Sequence, residues 1–183
     1  PNDSTYEGKV LRLKQQYFFS SASLQDIIRK YKSIHGKDFS KFADYVTIQL
    51  NDTHPVISIP ELIRLLTVNE NVKFENAVEI CRNVFNYTNH TIMQEALEKC
   101  DLKHIRDTIP QVLDIIKNLD KMLRKELNKA NVDNETAETM YIIQDKRVHM
   151  AYLAIFCSKY VNGVARIHTE ILKTVVLKNW YEL

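Results

Sequence analysis

Residues 46–55 read VTIQLNDTHP and join a strand pattern to a polar cluster. Val46, Ile48 and Leu50 alternate with polar residues, as expected for a β-strand with one buried face. The polar residues that follow at once place hydrogen-bonding side chains where this strand ends. Because ligands of α/β proteins bind beyond the carboxyl ends of the strands, the segment predicts a sheet and one wall of a polar pocket.

Two more polar clusters follow apolar runs farther along the chain. Residues 86–91 read NYTNHT and come after Val84 and Phe85, and residues 162–168 read NGVARIH and come after the apolar run 150–157. Three such clusters in one chain predict that their side chains line the same pocket. Asn and His carry donors and acceptors on short side chains, a combination suited to sugar hydroxyls.

The predicted fold class is α/β, with a partial parallel sheet layered with helices. We expect strands over 46–50, 84–87 and 151–156, the last one buried, and a short strand over 141–143. Three main strands are few for so many helices, so the chain is expected to form part of a larger domain.

Helices are predicted over most of the remaining chain. The apolar spacing within 24–31 predicts a helix capped by Ser23 and Asp26, and Ser58 and Glu61 have the spacing of a capping box at the start of another. Further helices are expected over 74–81, 94–99, 112–127 and 164–178, with a polar surface loop over 128–136.

The composition is that of an ordinary globular protein and excludes several classes. The 183 residues fit one domain, with 45% apolar and 26% charged residues. A formal charge of +2 without a basic stripe argues against nucleic-acid binding. The longest apolar run, 150–157, is far shorter than the ~20 residues of a membrane-spanning helix. No signal-peptide pattern is found either, so we expect no membrane association.

Glycine and cysteine usage exclude further site types. Only 3 glycines occur, too few for a Walker loop or for the glycine-rich dinucleotide fingerprint. The 3 cysteines have no C-x-x-C spacing and are expected to be free thiols in a reducing cytoplasm.

Asp52 and His54 form the sharpest pair of candidate residues, and the residues alone leave their role open. They would position a substrate, exchange protons, or bind a metal together with His90 if the two strands are neighbours. Equally, Asn51 and Asp52 would only cap a turn, and His54 would be a satisfied surface group. Glu95 and Glu98 lie one turn apart on a predicted helix, as a carboxylate pair for glycoside hydrolysis or as solvated surface groups.

The same clusters resemble the α-glucan phosphorylases, the family that includes the glycogen, starch and maltodextrin phosphorylases. The resemblance rests on QLNDTHP (49–55), YTNHT (87–91), EALE (95–98) and VNGVARIH (161–168), with LRLKQQYF (11–18), LQDII (24–28) and WYEL (180–183) in support. These matches are collinear over nearly the whole chain, and 128–136 is the least similar segment.

Members of this family are several times longer than this chain. The resemblance therefore implies that residues 1–183 are a single partial domain, an internal fragment from the back half of the N-terminal domain. The implied fold is a helix-rich part of a Rossmann-like domain from a two-domain glycosyltransferase fold. Surfaces that the remaining chain would cover are expected to favour self-association of the fragment.

The implied activity is that of the whole enzyme. It would use phosphate to release glucose 1-phosphate from the non-reducing ends of α-1,4-glucan or maltodextrin, as a cytoplasmic homodimer. Its pyridoxal phosphate would be attached to a lysine of the C-terminal domain, outside this chain. The fragment alone is therefore expected to bind no cofactor and to be inactive.

The resemblance also implies roles for five residues on the sugar side of the cleft. His90 would contact the bound glucose, and Val164 would pack close to glucose and cofactor. Asp52, His54 and Glu98 would line the adjoining channel. No catalytic residue and no metal ligand is expected here, because these groups orient a neutral sugar, which can contribute several kcal/mol to lowering a barrier.

Two rival functions follow from the residues without the resemblance. The first is a non-catalytic binding or scaffolding module that uses an amphipathic helix such as 112–127 to hold a partner. The second is a metal hydrolase built on Asp52, His54 and His90.

Overall fold

The computed structural model describes residue 2 and residues 4–183, and its centre is a parallel sheet of three strands. The strands are β1 (Ile48–Asn51), β2 (Phe85–Asn89) and β6 (Tyr160–Gly163), in the order β1-β2-β6. Both neighbouring pairs are parallel, so the three carboxyl ends lie at one edge. The predicted class, a helix-rich α/β fold with a partial parallel sheet, is confirmed.

The register of this sheet aligns the three polar clusters. Asn51 lies opposite Thr88, and Thr88 lies opposite Asn162. Leu50 and Tyr87 lie opposite each other one position earlier, and both are buried in the core. Because successive side chains of a strand point to opposite faces, the polar row and the core row lie on different faces of the sheet.

Helices account for most of the described chain. They are α1 (Tyr6–His35), α2 (Phe42–Tyr45), α3 (Ser58–Arg64), α4 (Phe74–Val84), α5 (Leu102–Thr108), α6 (Leu113–Lys129), α7 (Asn134–Met140), α8 (Met150–Phe156), α9 (Arg166–Ile171) and α10 (Lys178–Glu182). Three-ten turns occur at Phe39–Lys41, Gln94–Ala96 and Pro110–Val112, and π-helical turns at Leu65–Asn69 and Leu172–Val176. Within the described residues, no helix combines the length and apolar character needed to cross a bilayer.

A second, smaller sheet is antiparallel, and its strands come between β2 and β6 in the chain. It consists of β3 (Lys99–Asp101), β4 (Ile143–Gln144) and β5 (Arg147–His149), in the order β3-β5-β4. Asp145 and Lys146 connect β4 to β5 with φ of 47° and 60°, as a two-residue hairpin turn requires. The short strand predicted over 141–143 is thus displaced toward the carboxyl end.

The first helix is much longer than its apolar spacing indicated. α1 begins after Thr5, whose hydroxyl accepts a hydrogen bond from a first-turn amide, and ends at Gly36 with φ of 74°. Ser23 and Asp26 lie inside α1, so their predicted role as a capping pair was wrong. Asp26 is instead paired with basic side chains one turn farther on.

Helix α3 is buried except for its last residue, and it contains a buried carboxylate. Glu61 accepts hydrogen bonds from Tyr17 Oη and Ser21 Oγ, both at 2.7 Å, and from the Arg64 guanidinium at 2.8 Å. These four donors explain how the charge is tolerated away from water. The predicted capping box of Ser58 and Glu61 was wrong, since no side chain caps α3.

The apolar run 150–157 forms a helix, so the buried strand predicted over 151–156 was wrong. α8 covers this run and is almost entirely buried. A run that is apolar on every side fits either element, and its Met, Ala and Leu residues favour the helix. The strand that the sequence did not reveal, β6, follows it and exposes Tyr160 and Val161, which removes the apolar signature of a buried parallel strand.

The remaining helix predictions gave mixed results. The helices predicted over 74–81 and 112–127 are confirmed as α4 and α6. The one predicted over 94–99 is a three-ten turn that runs into β3, so Glu95 and Glu98 do not share a helix face. The loop predicted over 128–136 is shorter, because α6 ends at Lys129 and α7 begins at Asn134. The helix predicted over 164–178 is divided into α9, a π-helical turn and α10.

Candidate functional site at the carboxyl edge of the sheet

The turn after β1 carries the first polar cluster and is held by β2. Asp52 has φ of 69°, a left-handed conformation that Asp tolerates better than most residues. Its backbone amide donates to Thr88 O at 2.9 Å, and its Oδ1 accepts from the amide of Thr53 at 2.7 Å. Asp52 is therefore fixed at the sheet edge by the neighbouring strand and by its own side chain.

His90 follows β2 and is bound to the end of β1. Its Nε2 lies 2.6 Å from Asn51 Oδ1, although the two residues are 39 positions apart in sequence. Both side chains are exposed at the rim of the sheet. Asn51 was not among the predicted site residues, but this contact makes it the group that orients the imidazole.

Glu98 is joined to the first cluster through Thr53. The buried Thr53 hydroxyl donates to Glu98 Oε2 at 2.5 Å. Glu98 also lines a cavity of about 200 Å³ bounded by α1, β3 and α5. This carboxylate therefore lies between the sheet edge and an adjoining cavity.

The third cluster forms a tight turn between β6 and α9. The amide of Gly163 donates to Thr169 Oγ1, and the amide of Val164 donates to His168 Nδ1, both at 3.1 Å. His168 is buried, and its Nε2 lies 3.3 Å from Thr91 O in the second cluster. The side chain of Val164 is left 56% exposed at the same edge of the sheet.

A ladder of side-chain hydrogen bonds crosses all three strands. Gln49 Nε2 donates to the Thr88 hydroxyl at 2.8 Å, and that hydroxyl donates to Asn162 Oδ1 at 3.2 Å. The ladder couples the strand register to the polar side chains, because a shift by one residue would place every rung on the opposite face.

Two buried, uncharged side chains of the second cluster, Tyr87 and Asn89, are hydrogen-bonded to each other. Asn89 Nδ2 donates to Tyr87 Oη at 2.9 Å, and Asn89 Oδ1 accepts from the amide of Thr91 at 2.7 Å. Burial raises the pKa of Tyr87 well above its usual range, and the nearby carboxylates Asp52 and Glu98 raise it further. The phenol thus remains neutral and serves as a hydrogen-bond acceptor for Asn89.

His54 lies at the rim, and its side chain is held less firmly than those of the other predicted residues. Its side chain is 54% exposed, and its Nδ1 is 3.9 Å from Asp52 Oδ2, too far for a hydrogen bond. Within the described part of the chain, no three His, Cys, Asp or Glu residues group in a way that could hold a metal ion. Nothing in this arrangement supports the metal hydrolase.

The structure therefore brings four of the five predicted residues into one hydrogen-bonded edge, with His54 beside them. Sequence reasoning overlooked Asn51, Thr53 and His168, although all three lie within the quoted clusters. Their contacts join segments 39, 45 and 77 residues apart, so the only available signal was their presence in those clusters. Together the groups offer hydroxyl, amide, imidazole and carboxylate partners, which suit a polyhydroxylated ligand.

Comparison with known proteins identifies the family. The family described as carbohydrate phosphorylase matches residues 1–183. The chain is 43% identical over 194 residues to the muscle form of glycogen phosphorylase from Ovis aries, and 45% identical over 202 residues to the brain form from Homo sapiens. The liver form from Homo sapiens is 42% identical over 194 residues.

Each of these alignments covers 100% of this chain and 23% of the relative. The chain thus spans about a quarter of the length of the curated relatives that it matches. A family match over every residue and identities above 40% leave no other assignment: this chain belongs to the carbohydrate phosphorylase family.

Proposed function

We propose that this chain supplies the glucose-facing wall of an α-1,4-glucan phosphorylase. The whole enzyme, a glycosyltransferase of glycogen metabolism, would transfer the terminal glucose of a glucan or maltodextrin to phosphate and release glucose 1-phosphate. The observation that supports this proposal is the convergence of three separate clusters on one sheet edge. The alignments with relatives named glycogen phosphorylase cover the whole chain and therefore include these clusters.

In this proposal the chain binds and orients sugar rather than transferring protons. The imidazole of His90, oriented by Asn51, would hydrogen-bond a glucose hydroxyl at the rim. Asp52 and Glu98 would accept hydrogen bonds from hydroxyls in the adjoining channel, and His54 would border it. Fixed partners of this kind lower a barrier by restricting the orientations of the bound sugar.

The cofactor of the proposed enzyme is pyridoxal phosphate, and Val164 is the residue here that would contact it. Its exposed apolar side chain lies beside a tight turn and offers a surface on which a ring can pack. The attachment lysine is proposed to lie in the C-terminal domain, outside this chain, as the family resemblance implies. When bound, the cofactor would supply a phosphate group that relays a proton to the substrate phosphate.

The proposal extends to the setting of the chain. Residues 1–183 would form the carboxyl-terminal portion of the N-terminal domain of a homodimeric enzyme. A cytoplasmic location would keep its 3 cysteines, all of which are free, in the reduced state. By itself the 183-residue chain would be inactive and would self-associate through surfaces that the rest of the enzyme covers.

A direct test uses the polypeptide encoded by the complete reading frame. It is incubated with maltoheptaose and phosphate, and glucose 1-phosphate is measured by a coupled assay. We expect turnover by the full polypeptide and none by the 183-residue chain. The His90→Ala variant is expected to lose about tenfold or more in kcat/KM, since one hydrogen bond contributes about 0.5–1.5 kcal/mol and more in the transition state.

His35→Ala is the matched control, because His35 is exposed at the end of α1 and its ring packs on Tyr45 and Tyr31, away from the three clusters. Its kcat/KM should equal that of the unmodified enzyme. A full polypeptide without phosphorolytic activity, or glucose 1-phosphate released by the 183-residue chain alone, would refute the proposal.

A further inference from the structure

His168 has a tautomer that its surroundings define. The amide of Val164 can only donate, so His168 Nδ1, at 3.1 Å, must present its lone pair. Thr91 O can only accept, and it lies 3.3 Å from Nε2. The ring is therefore neutral and carries its proton on Nε2. With the residue 5% exposed, water cannot replace either partner without opening the structure.

The backbone of the turn at Gly163 packs closely against His168. A Cβ atom on Gly163 would lie 2.9 Å from both His168 Nδ1 and the amide nitrogen of Thr169. Thr169 Oγ1 in turn accepts a hydrogen bond from the Gly163 amide. The turn that carries Val164 is thus packed directly on α9. Thr169 and the imidazole of His168 each accept a hydrogen bond from its backbone.

We propose that His168 is a positioning residue for the sugar pocket. Its imidazole, protonated on Nε2, links the turn of Val164 to the loop that contains His90 and Thr91. The hydrogen-bonded residues His168 and Thr91 are 77 positions apart in sequence. This link sets the distance between the two elements that face glucose in the proposed function, on which the inference rests. His168 itself contacts no substrate.

The first test measures the hydrogen bonds without any ligand. The histidines of the full polypeptide are labelled with ¹⁵N, and long-range ¹H–¹⁵N spectra at pH 7.5, assigned by comparison with the His168→Phe variant, report which ring nitrogen of His168 carries the proton. We expect a single Nε2–H tautomer. A Nδ1–H tautomer, a mixture of tautomers or a charged ring would overturn the inference.

Two conservative variants separate the two halves of the link. In His168→Asn the amide oxygen replaces Nδ1, so the exchange protection of the Val164 amide should be retained while the resonances of His90 and Thr91 shift. In His168→Gln the amide group reaches the position of Nε2, so the contact with Thr91 O is kept and protection of the Val164 amide falls by about tenfold. Identical behaviour of the two variants would contradict a link with two distinct ends.

His168→Phe removes both hydrogen bonds and keeps a planar ring of somewhat larger volume, and His149→Phe, which makes the same change, is its matched control. His149 is also buried, stacks on Tyr152 with ring centroids 4.9 Å apart, and belongs to none of the three clusters. In the full polypeptide we expect His168→Phe to raise the KM for maltoheptaose and lower kcat by about tenfold each, with no change in His149→Phe.

The outcomes distinguish this inference from the proposed function. If the unmodified full polypeptide produces no glucose 1-phosphate, the proposed function fails while the tautomer measurement still tests the link. If it is active and His168→Phe keeps both kinetic constants, the positioning role fails while the proposed function stands.

Discussion

Acid should destabilise this protein through His149, at the junction of β5 and α8. The residue is 8% exposed, and burial lowers its pKa from 6.5 to about 4, with Lys99 and Arg147 adding to the effect and Asp145 opposing it. Between these two pH values His149 is protonated in the unfolded chain and remains neutral in the folded chain. Stability is therefore complete above about pH 6.5 and falls as the pH decreases toward 4.

The magnitude follows from the size of this shift. One pKa unit corresponds to about 1.4 kcal/mol, so a decrease from 6.5 to about 4 costs up to about 3 kcal/mol at pH 4. That is a large part of the about 5–15 kcal/mol by which domains are normally stable. The penalty should disappear in His149→Phe, which keeps the stacking on Tyr152 and cannot be protonated.

The assay is urea unfolding at pH 7.5, 6.5, 5.5 and 4.5, followed by the fluorescence of Trp180, the single tryptophan. Its ring lies 5.6 Å from that of Tyr152, so it reports on the packing around His149. The difference in unfolding free energy between His149→Phe and the unmodified chain should be constant above pH 7 and grow steadily below pH 6.5. Carboxylates titrate in both proteins and cancel in this difference. A difference that does not change with pH would refute the reasoning.

Three further variants test the contacts described above. Glu61→Gln removes the buried carboxylate charge that faces the half-buried Arg64 guanidinium and should lower the unfolding free energy by about 1.5–3 kcal/mol, measured by urea denaturation; a loss below 1 kcal/mol would contradict the network around Glu61. Asn51→Ala frees the imidazole of His90, so the KM of the full polypeptide for maltoheptaose should rise by about two- to tenfold, and an unchanged KM would show that the contact does not orient the ring. Gly163→Ala forces a Cβ against His168 and should cost about 1–3 kcal/mol, or about 2–4 °C in Tm for each kcal/mol, whereas an unchanged Tm would mean that the turn is not tightly packed.

The polar edge of the sheet could be predicted because its signal is local. In 46–55 the strand pattern and the polar cluster are adjacent in sequence, and the same holds for Phe85 and the cluster after it. Parallel strands bring such endings to one edge whatever the intervening chain does. Asp52, His54 and His90 were found for this reason, whereas the roles of Val164 and Glu98 came from the family resemblance, and the strand that precedes the third cluster was placed in the wrong segment.

The errors arose where local pattern and tertiary context disagree. The run 150–157 is apolar on every side, so its sequence could not distinguish a buried helix from a buried strand. β6 exposes Tyr160 and Val161 in this chain and has no apolar alternation to reveal it. Glu61 has the spacing of a capping residue, but α1 supplies hydroxyl donors that bind it inside the core.

The contacts that define the site could not be predicted from sequence at all. Asn51 ends a strand, Thr53 lies in a turn and His168 lies in a helix, and their sequence context does not reveal which residues they contact. Each bonds to a residue on a different element, and which element that is depends on strand order and register. Sequence therefore identified the segments that form the pocket, whereas the groups that hold those segments together emerged only from the coordinates.

The hydrogen bonds that set the strand register also set the geometry of the pocket, and this has a consequence for interpreting variants. The Thr88 hydroxyl joins Gln49 to Asn162, while its carbonyl accepts the amide that fixes Asp52. Replacing Thr88 by Val would remove both side-chain bonds and leave the carbonyl contact intact. Because a β-branched side chain of similar shape keeps the strand, a loss of glucan affinity without a matching loss of stability would assign the ladder to the pocket. Equal losses would assign the ladder to the sheet. Glucan affinity and unfolding free energy must therefore both be measured on the same Thr88→Val variant.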